Sequence, residues 1–320
     1  MSVIRLQPAF KDYLWGGTKL KTDYGKKTDL DIVAESWELS AHPDGPSTVL
    51  DGEHAGKTFP QYLQAKGKTV LGTKGAAFLD FPILIKFIDA AGSLSIQVHP
   101  DDAYALKNEK EYGKTEMWYI MDCTEGAQLY YGVNQSIDRA EFERRIQDNT
   151  IMEVLRGVPV HKGDVFFIPA GTIHAIGAGI QICEIQQTSN STYRVYDFGR
   201  VGKDGKPRPL HIRKALDVSN LNPVSSRFEP CGPSFSKGDG TVTRIATCDK
   251  FTTYVVEDEG QMTWNVNDDS FGSITVLDGS LSILADRKLT SLHKGETAFI
   301  EAGTGKVSLQ GCAQFIYARV

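Results

Sequence analysis

Apolar residues in this chain fall in short runs rich in Val, Ile, Phe and Tyr, punctuated by Gly, Pro and Asn. Runs of this length between turn signals predict strands. The clearest are FPILIKFIDA, EMWYIMD, AQLYYGV, DVFFIPAG and GIQICEIQQ. In LSIQVHPDD, Leu94 to Asp102, alternate residues take opposite faces of an extended chain. Leu94, Ile96 and Val98 then share an apolar face, and Ser95, Gln97 and His99 share a polar one. A few segments break the period of two. TFPQYLQAK opens with Thr58, Pro60 and Gln61, the arrangement of a capping box with proline in the first turn. DRAEFERRI opens similarly with Asp138 and Glu141, and its Phe142 and Ile146 share a face. DDAYALKNEKEY and PLHIRKALDV give weaker helical patterns. Residues 222–240 are rich in Pro, Gly and Ser and read as a connector.

The chain repeats itself. VHKGDVFFIPAGTIHAIGAG, from Val160, and LHKGETAFIEAGTGKVSLQG, from Leu292, align on His161 and His293, 132 residues apart. Each follows a strand–turn–strand unit, WYIMDCTEGAQLYYG in the first case and ITVLDGSLSILAD in the second. A glycine turn feeding a strand, then Pro169 and Gly171 turning the chain so that His174 faces inward, resembles a cupin jelly roll. The fold class expected is mainly β, two cupin-type β-jelly-roll barrels with a few short helices inserted. Residues 1–221 would form a metal-binding barrel with helical insertions, 222–240 the connector, and 241–320 a degenerate second barrel. The degeneracy lies where chemistry would sit, since Lys306 stands in the place of His174 and Glu301 in that of Pro169.

Composition narrows the classes of partner. The chain has 320 residues, 41% hydrophobic and 23% charged, with a formal net charge of −5. That is ordinary for a globular protein and argues against nucleic acid or an anionic membrane as partner. An anionic ligand would need a local cluster of Lys and Arg. Five cysteines, none in a C-x-x-C pair, argue against a thiolate metal site or a disulfide framework. The N-terminal stretch has no apolar core of a signal peptide, and no apolar run reaches spanning length, so a cytoplasmic location is expected. A monomer or weak homodimer is expected.

Four donors converge on the first barrel: Gln97 and His99 on one strand face, Glu116 beside MWYIMD, and His174 after IPAGT. Two imidazoles and a carboxylate, without thiolate, suit a divalent ion such as zinc, one per chain, with a position left open for water or substrate. His42, His54, His161, His211 and His293 are read as packed or hydrogen-bonded residues, His161 and His293 structural because they occupy matched turns.

QVHPDD, GKTEMWY, IPAGTIHAIG and EIQQTSNSTYRVYDFGR, with YLWGG and ESWELSAHPDG, resemble the short form of type I mannose-6-phosphate isomerases. The likeness covers most of residues 1–220. It implies a zinc enzyme interconverting mannose 6-phosphate and fructose 6-phosphate. It assigns Gln97, His99, Glu116 and His174 to the metal and gives Arg194 a catalytic role. It also places Lys86, Ser95 and Lys114 along the sugar-phosphate pocket. Longer members carry a histidine immediately before the lysine matching Lys114; here that place is Gly113, so a mechanism using that histidine as base cannot apply.

Aldose–ketose isomerisation through a cis-enediol needs a base near C2, a cation on the oxygens and an anchor for phosphate. Glu184 shares a face with Ile180 and Ile182, and an apolar wall raises a carboxyl pKa toward neutrality. It is either that base or a paired structural residue. Arg194 offers five donors to an enediolate or phosphate. Lys86 interrupts an apolar run and needs either the ligand's phosphate or a nearby carboxylate. Trp15, beside Gly16 and Gly17, is either the floor of a sugar pocket or a core residue. Arg200 and Lys203 are expected to be solvated. The rival functions are a metal cupin oxygenase and a non-catalytic sugar-phosphate-binding cupin. Gln97 and the basic residues Lys86, Lys114 and Arg194 weigh against the oxygenase, and the retention of a full donor set with Arg194 weighs against the sensor.

Overall fold

In the computed structural model, which describes residues 2–202, 205–226 and 228–320, the strands are arranged in three antiparallel sheets. Two of them face each other as a jelly roll, one of six strands and one of five. The six-stranded sheet runs Val165–Ile168, Glu116–Cys123, Ile180–Gln187, Ile83–Ala90, Glu35–Leu39, Ala9–Lys11. The five-stranded sheet runs Tyr193–Tyr196, Ile96–Val98, His174–Ala175, Gln128–Val133, Leu155–Pro159. The third sheet has ten strands and belongs mainly to the C-terminal half. The chain's first strand, Val3–Gln7, joins it by pairing with Thr297–Ile300. The mainly β, two-barrel reading therefore holds.

The central strands of the six-stranded sheet, Ile83–Ala90 and Ile180–Gln187, are buried at every position. A strand covered on both faces reads as a continuous apolar run, and the few polar residues in it must find partners. The helices follow their caps. Thr58 accepts the Gln61 N–H and the Gln61 side chain accepts the Thr58 N–H, which fixes the start of helix Phe59–Lys66. Asp138 caps helix Arg139–Gln147 by accepting the Glu141 N–H at 2.7 Å. The weaker patterns form short helices, Asp102–Asn108 and Ile212–Val218.

The repeat is visible in backbone geometry. In each copy the acidic residue at the end of the turn caps it: Asp164 accepts the His161 N–H and Glu296 accepts the His293 N–H, both at 2.8 Å. Gly163 and Gly295 have φ of 93° and 86°, a region costly for residues with a side chain. The copies differ just upstream. The first inserts helix Arg139–Gln147 between its strands, whereas the second joins Gly272–Ala285 to Lys288–His293 by a tight turn at Asp286 and Arg287, both at positive φ.

One apolar cluster spans both halves. Phe59 lies 5.1 Å from Phe299 and Phe81 lies 5.0 Å from Phe271, centroid to centroid. Among the described residues no helix is long and apolar enough to cross a membrane.

Truncating a fully buried phenylalanine costs about 3–5 kcal/mol. Phe299→Ala should therefore lower the urea midpoint of both halves together, read by tryptophan fluorescence and far-UV dichroism. A loss under about 1 kcal/mol, or two separated transitions, would show that the barrels do not share this core.

Candidate active site

Two cross-strand rows face each other inside the jelly roll. On the six-stranded sheet, Trp118 lies opposite Glu184, Glu184 opposite Lys86, and Lys86 opposite Trp37. The five-stranded sheet sets His174 opposite Gln97, and Gln97 opposite Arg194. Residues directly opposite on antiparallel strands are close enough for their side chains to interact. The pairing pattern thus collects charged residues from distant parts of the sequence.

His99, Glu116 and His174 form one cluster, all buried, with donor atoms within 4.8 Å of one another. His174 Nε2 is 3.2 Å from Glu116 Oε1, and His99 Nε2 is 3.6 Å from Glu116 Oε2. The Nδ1 atom of His99 lies 2.8 Å from the Ser191 carbonyl, and that of His174 lies 2.8 Å from the Thr172 carbonyl. Only an N–H can bond a carbonyl, so both rings carry a proton on Nδ1 and turn Nε2 inward. Gln97 Nε2 is 3.4 Å from His174 Nε2, and rotating the amide by half a turn would present its carbonyl oxygen instead. Gly171 closes the arrangement: its N–H donates to the His99 carbonyl, and it sits at φ 86°, where a Cβ would meet the Val218 carbonyl.

The electrostatics of the cluster suit a cation. Burial alone would push the Glu116 carboxyl up, but Lys114 and the two imidazoles outweigh it and hold the group well below the usual range. Burial and the Lys114 ammonium hold His99 far below the usual imidazole pKa, leaving it neutral, the form that binds metals. Glu116 Oε1 is buried and accepts no hydrogen bond. Two imidazoles with Nε2 turned inward and a carboxylate oxygen that accepts no hydrogen bond fit a divalent ion of borderline softness.

In front of the cluster lies a cleft of roughly 290 Å³. The sequence-derived residues Trp15, Lys86, Ser95, Gln97, Lys114, Glu184 and Arg194 all line it. Trp15 packs in one apolar cluster with Ile88 and Leu94 and also lines the cleft. Lys86 is buried between Glu35, at 3.5 Å, and Glu184, at 3.6 Å, with its ammonium 4.7 Å from the centre of the Trp37 ring. The carboxylate alternative for Lys86 is thus realised within a residue that also lines the cleft. Glu184 accepts the Trp118 Nε1–H at 2.8 Å through Oε2, while its Oε1 has no hydrogen-bond partner. Burial raises its pKa, against the pull of Lys114 and Lys86. Arg194 donates from Nε to Ser95 Oγ at 3.3 Å and from Nη1 to the Pro209 carbonyl at 3.0 Å.

Sequence reasoning missed Glu35, Arg208, Asn190 and Thr192, which also line the cleft. It also misplaced Arg200. That residue is not solvated but pinned, with its guanidinium on Asp197 and the Ser93 carbonyl. Asp197 is a buried acceptor that also binds Arg208, at 2.7 Å from Nε, so the two arginines share one counter-charge. Lys203, the companion residue, lies outside the described residues. Gly113 is also explained. A Cβ there would lie 2.4 Å from the Asp101 carbonyl carbon, so no side chain fits before Lys114.

Comparison with known proteins follows the same lines. Residues 3–123 match the family model for the phosphomannose isomerase type I catalytic domain, and residues 241–320 match that for the mannose-6-phosphate isomerase cupin domain. The chain is 33% identical to the mannose-6-phosphate isomerase ManA of Bacillus subtilis, over 98% of both. It is 38% identical to the mannose-6-phosphate isomerase of Streptococcus mutans, over 78% of this chain and 76% of that one. The crystal structure of a mannose 6-phosphate isomerase from Bacillus subtilis superposes with a TM-score of 0.93 at 34% identity, covering all of both chains. A phosphomannose isomerase from Salmonella typhimurium, at 17% identity and a TM-score of 0.75, shares the fold.

His174→Ala should abolish stoichiometric metal binding measured by elemental analysis of purified protein. Lys306→Ala, whose side chain is exposed on the second barrel, should leave it unchanged. A His174→Ala protein that retains one tightly bound ion would overturn the assignment of the cluster.

Proposed function

The chain belongs to the type I phosphomannose isomerase family, and from that premise we propose a zinc-dependent isomerisation through a cis-enediol, with Glu184 as the proton carrier. The enzyme is a mannose-6-phosphate isomerase. The observation that carries the finer reading is the Oε1 of Glu184, which accepts no hydrogen bond, lies 3.6 Å from Lys86 and 3.8 Å from Lys114, and belongs to a residue lining a cleft backed by the His99–Glu116–His174 cluster.

Gln97, His99, Glu116 and His174 would hold the ion. When bound, it supplies a Lewis acid that draws charge from the substrate's carbonyl and hydroxyl oxygens. The chain's own residues supply the rest. Glu184 takes the C2 hydrogen of the open-chain aldose as a proton. The C2–H electron pair becomes the C1=C2 bond of the enediol, and the C1 carbonyl pair moves onto O1, which gains a proton. O2 then loses its proton as the C2 carbonyl forms, and Glu184 returns its proton to C1. The base begins and ends ionised, and no oxidant or reductant is needed.

A carboxylate in contact with Trp118 and apolar strand residues is desolvated, and its raised pKa strengthens it as a base. Lys86, Lys114, Arg194 and Arg208 outnumber Glu35 and Glu184 around the cleft. Their field favours both a phosphate dianion and an enediolate. Arg194, held by Ser95 and the Pro209 carbonyl, is oriented before substrate arrives, so little is spent on ordering it. Trp15 and Ile88 give the sugar ring an apolar wall. The same cationic lining suits a sugar phosphate and has no counterpart in dioxygen chemistry.

Glu184→Gln keeps the shape and removes the base. It should lower kcat by about 10²–10⁴-fold, the usual contribution of a general base, with metal content intact. The assay couples fructose 6-phosphate formation to a dehydrogenase. Because burial raises the Glu184 pKa, the base stays protonated to a higher pH than an ordinary glutamate. In the wild type, kcat/KM should therefore rise with pH through a midpoint above about 4.3, the unperturbed value, and that limb should vanish in the variant. Activity of Glu184→Gln within tenfold of wild type would remove Glu184 from the role.

A further inference from the structure

We propose that the second barrel takes part in the reaction through Lys250, a positioning residue that holds Asp102 and, through it, the backbone on both sides of Lys114. The inference rests on the reading of Lys114 as a group that meets the substrate.

Lys250 lies in the turn between strands Gly240–Thr247 and Thr252–Asp258 of the ten-stranded sheet. That turn is anchored in the first barrel. Phe251 is buried in the shared apolar cluster, and its ring meets that of Phe167, on strand Val165–Ile168, at 6.4 Å. The turn is also closed on itself, with the Cys248 N–H donating to the Phe251 carbonyl at 2.9 Å. From there the Lys250 ammonium reaches Asp102 Oδ2 at 2.7 Å. It also lies 3.1 Å from Asp249, which is largely exposed and so screened.

Asp102 distributes this contact. Its Oδ1 accepts the Gly113 N–H at 2.9 Å and the Gln187 Nε2–H at 2.8 Å. Gln187 in turn accepts the Thr115 N–H through Oε1 at 3.0 Å. The Lys114 N–H donates to the Pro100 carbonyl at 2.9 Å. Three consecutive amides, 113 to 115, are thus fixed, two of them through the Asp102 carboxylate. From that anchorage the Lys114 side chain extends to Glu116, to His99 Nε2 at 3.0 Å and toward Glu184 at 3.8 Å. Burial would raise the Asp102 pKa, but Lys250, Gln187 and the Gly113 amide outweigh it and keep the group an anion.

Gly113 makes the arrangement possible. Its Cα approaches the Asp101 and Asp102 backbone so closely that any Cβ would overlap them. The residue that excludes a histidine at this place is therefore the one that lets Asp102 grip the Lys114 segment directly. Lys250 acts through Asp102 and the backbone, and never touches substrate.

The test uses the full chain loaded with zinc. Lys250→Met removes the charge and keeps the stem. It should lower kcat about tenfold, as small misplacements of a reacting group do, while KM moves less than about twofold. Zinc content should not change. Lys250→Arg should restore kcat to within about twofold. In a Lys114→Met background, Lys250→Met should cost nothing further, because its effect passes through Lys114. Wild-type kcat in Lys250→Met would overturn the proposal, and so would the same fold-loss in both backgrounds. Near-wild-type turnover by Lys114→Met would instead overturn the reading of Lys114 itself.

Discussion

A carboxylate sealed from water stays ionised only where a cation and polar groups surround it, and Glu116 sets that requirement for the whole first barrel. Moving such a group out of water costs several kcal/mol unless neighbours compensate. Its neighbours here are Lys114, two residues before it and just ahead of the strand, and the rings of His99 and His174 from the opposite side of the barrel. The two sheets must therefore close in one register, because a slip by one residue would turn Glu116 away from both imidazoles. The carbonyls of Ser191 and Thr172 then complete the constraint by fixing which ring nitrogens face inward. Ser191 is itself held, its hydroxyl donating to Glu111 at 2.6 Å, and Glu111 bonds the buried His42 at 2.6 Å. Burial would raise the Glu111 pKa, yet His42, Ser191 and the Asn190 amide pull it down to about 2, so the clasp stands as an ion across the working range.

The same logic organises the cleft in front. Lys86, Glu35, Glu184 and Lys114 are all buried, and none would be tolerated alone. Together they form an alternating set of charges in which each ammonium lies within 4 Å of a carboxylate. Such a set is poor value for stability, since well-packed apolar residues do as well or better. What it provides is a group of ionisable side chains with unlike environments. Glu116 is driven down and Glu184 up, although they sit on adjacent strands two register positions apart. The difference comes from neighbours: Glu116 has two imidazoles and the closer contact with Lys114, while Glu184 has an indole N–H on one oxygen and only the more distant Lys86 and Lys114 on the other. Two carboxylates pushed apart in this way can serve as a permanent anion and a proton carrier.

Local signals carried the sequence reading far, and long-range ones set its limits. The strand alternation, the Thr58 and Asp138 caps and the doubled His-Lys-Gly-acid turn all depend on residues within a few positions, and each left a pattern. The polar face of Ser95, Gln97 and His99 was legible for the same reason. Arg200 was not, because its partner Asp197 looks like any loop acid until the chain folds it beneath two arginines. Glu35 sits in a strand buried at every position, so its alternation says nothing about which face meets the cleft. Val3–Gln7 crosses to the far sheet because Ile4 and Leu6 complete a cluster that includes Phe271 and Phe299, more than 200 residues on. No window along the chain contains that information.

The second copy shows what becomes of a barrel once its interior is released from chemistry. Lys306, which replaces His174, turns outward. The space inside is filled by Val256, Ile274, Ile283, Leu309, Phe315 and their neighbours, and among the described residues it holds no group of His, Cys, Asp and Glu placed to bind a metal. Burying such side chains contributes about 1.5–3 kcal/mol each. The first barrel gives part of its interior to charges that cost stability, so beside its own apolar clusters it gains from apolar contacts elsewhere. It finds them on its outer faces, where Phe81, Tyr62 and Phe59 pack on Phe299 and Phe271. The degenerate barrel is thus the apolar counterweight that lets its polar sibling hold a site. The Phe251 turn, which seats Lys250 against Asp102, lies in that shared interface, so the surface that stabilises the site is also the one through which the second barrel reaches it.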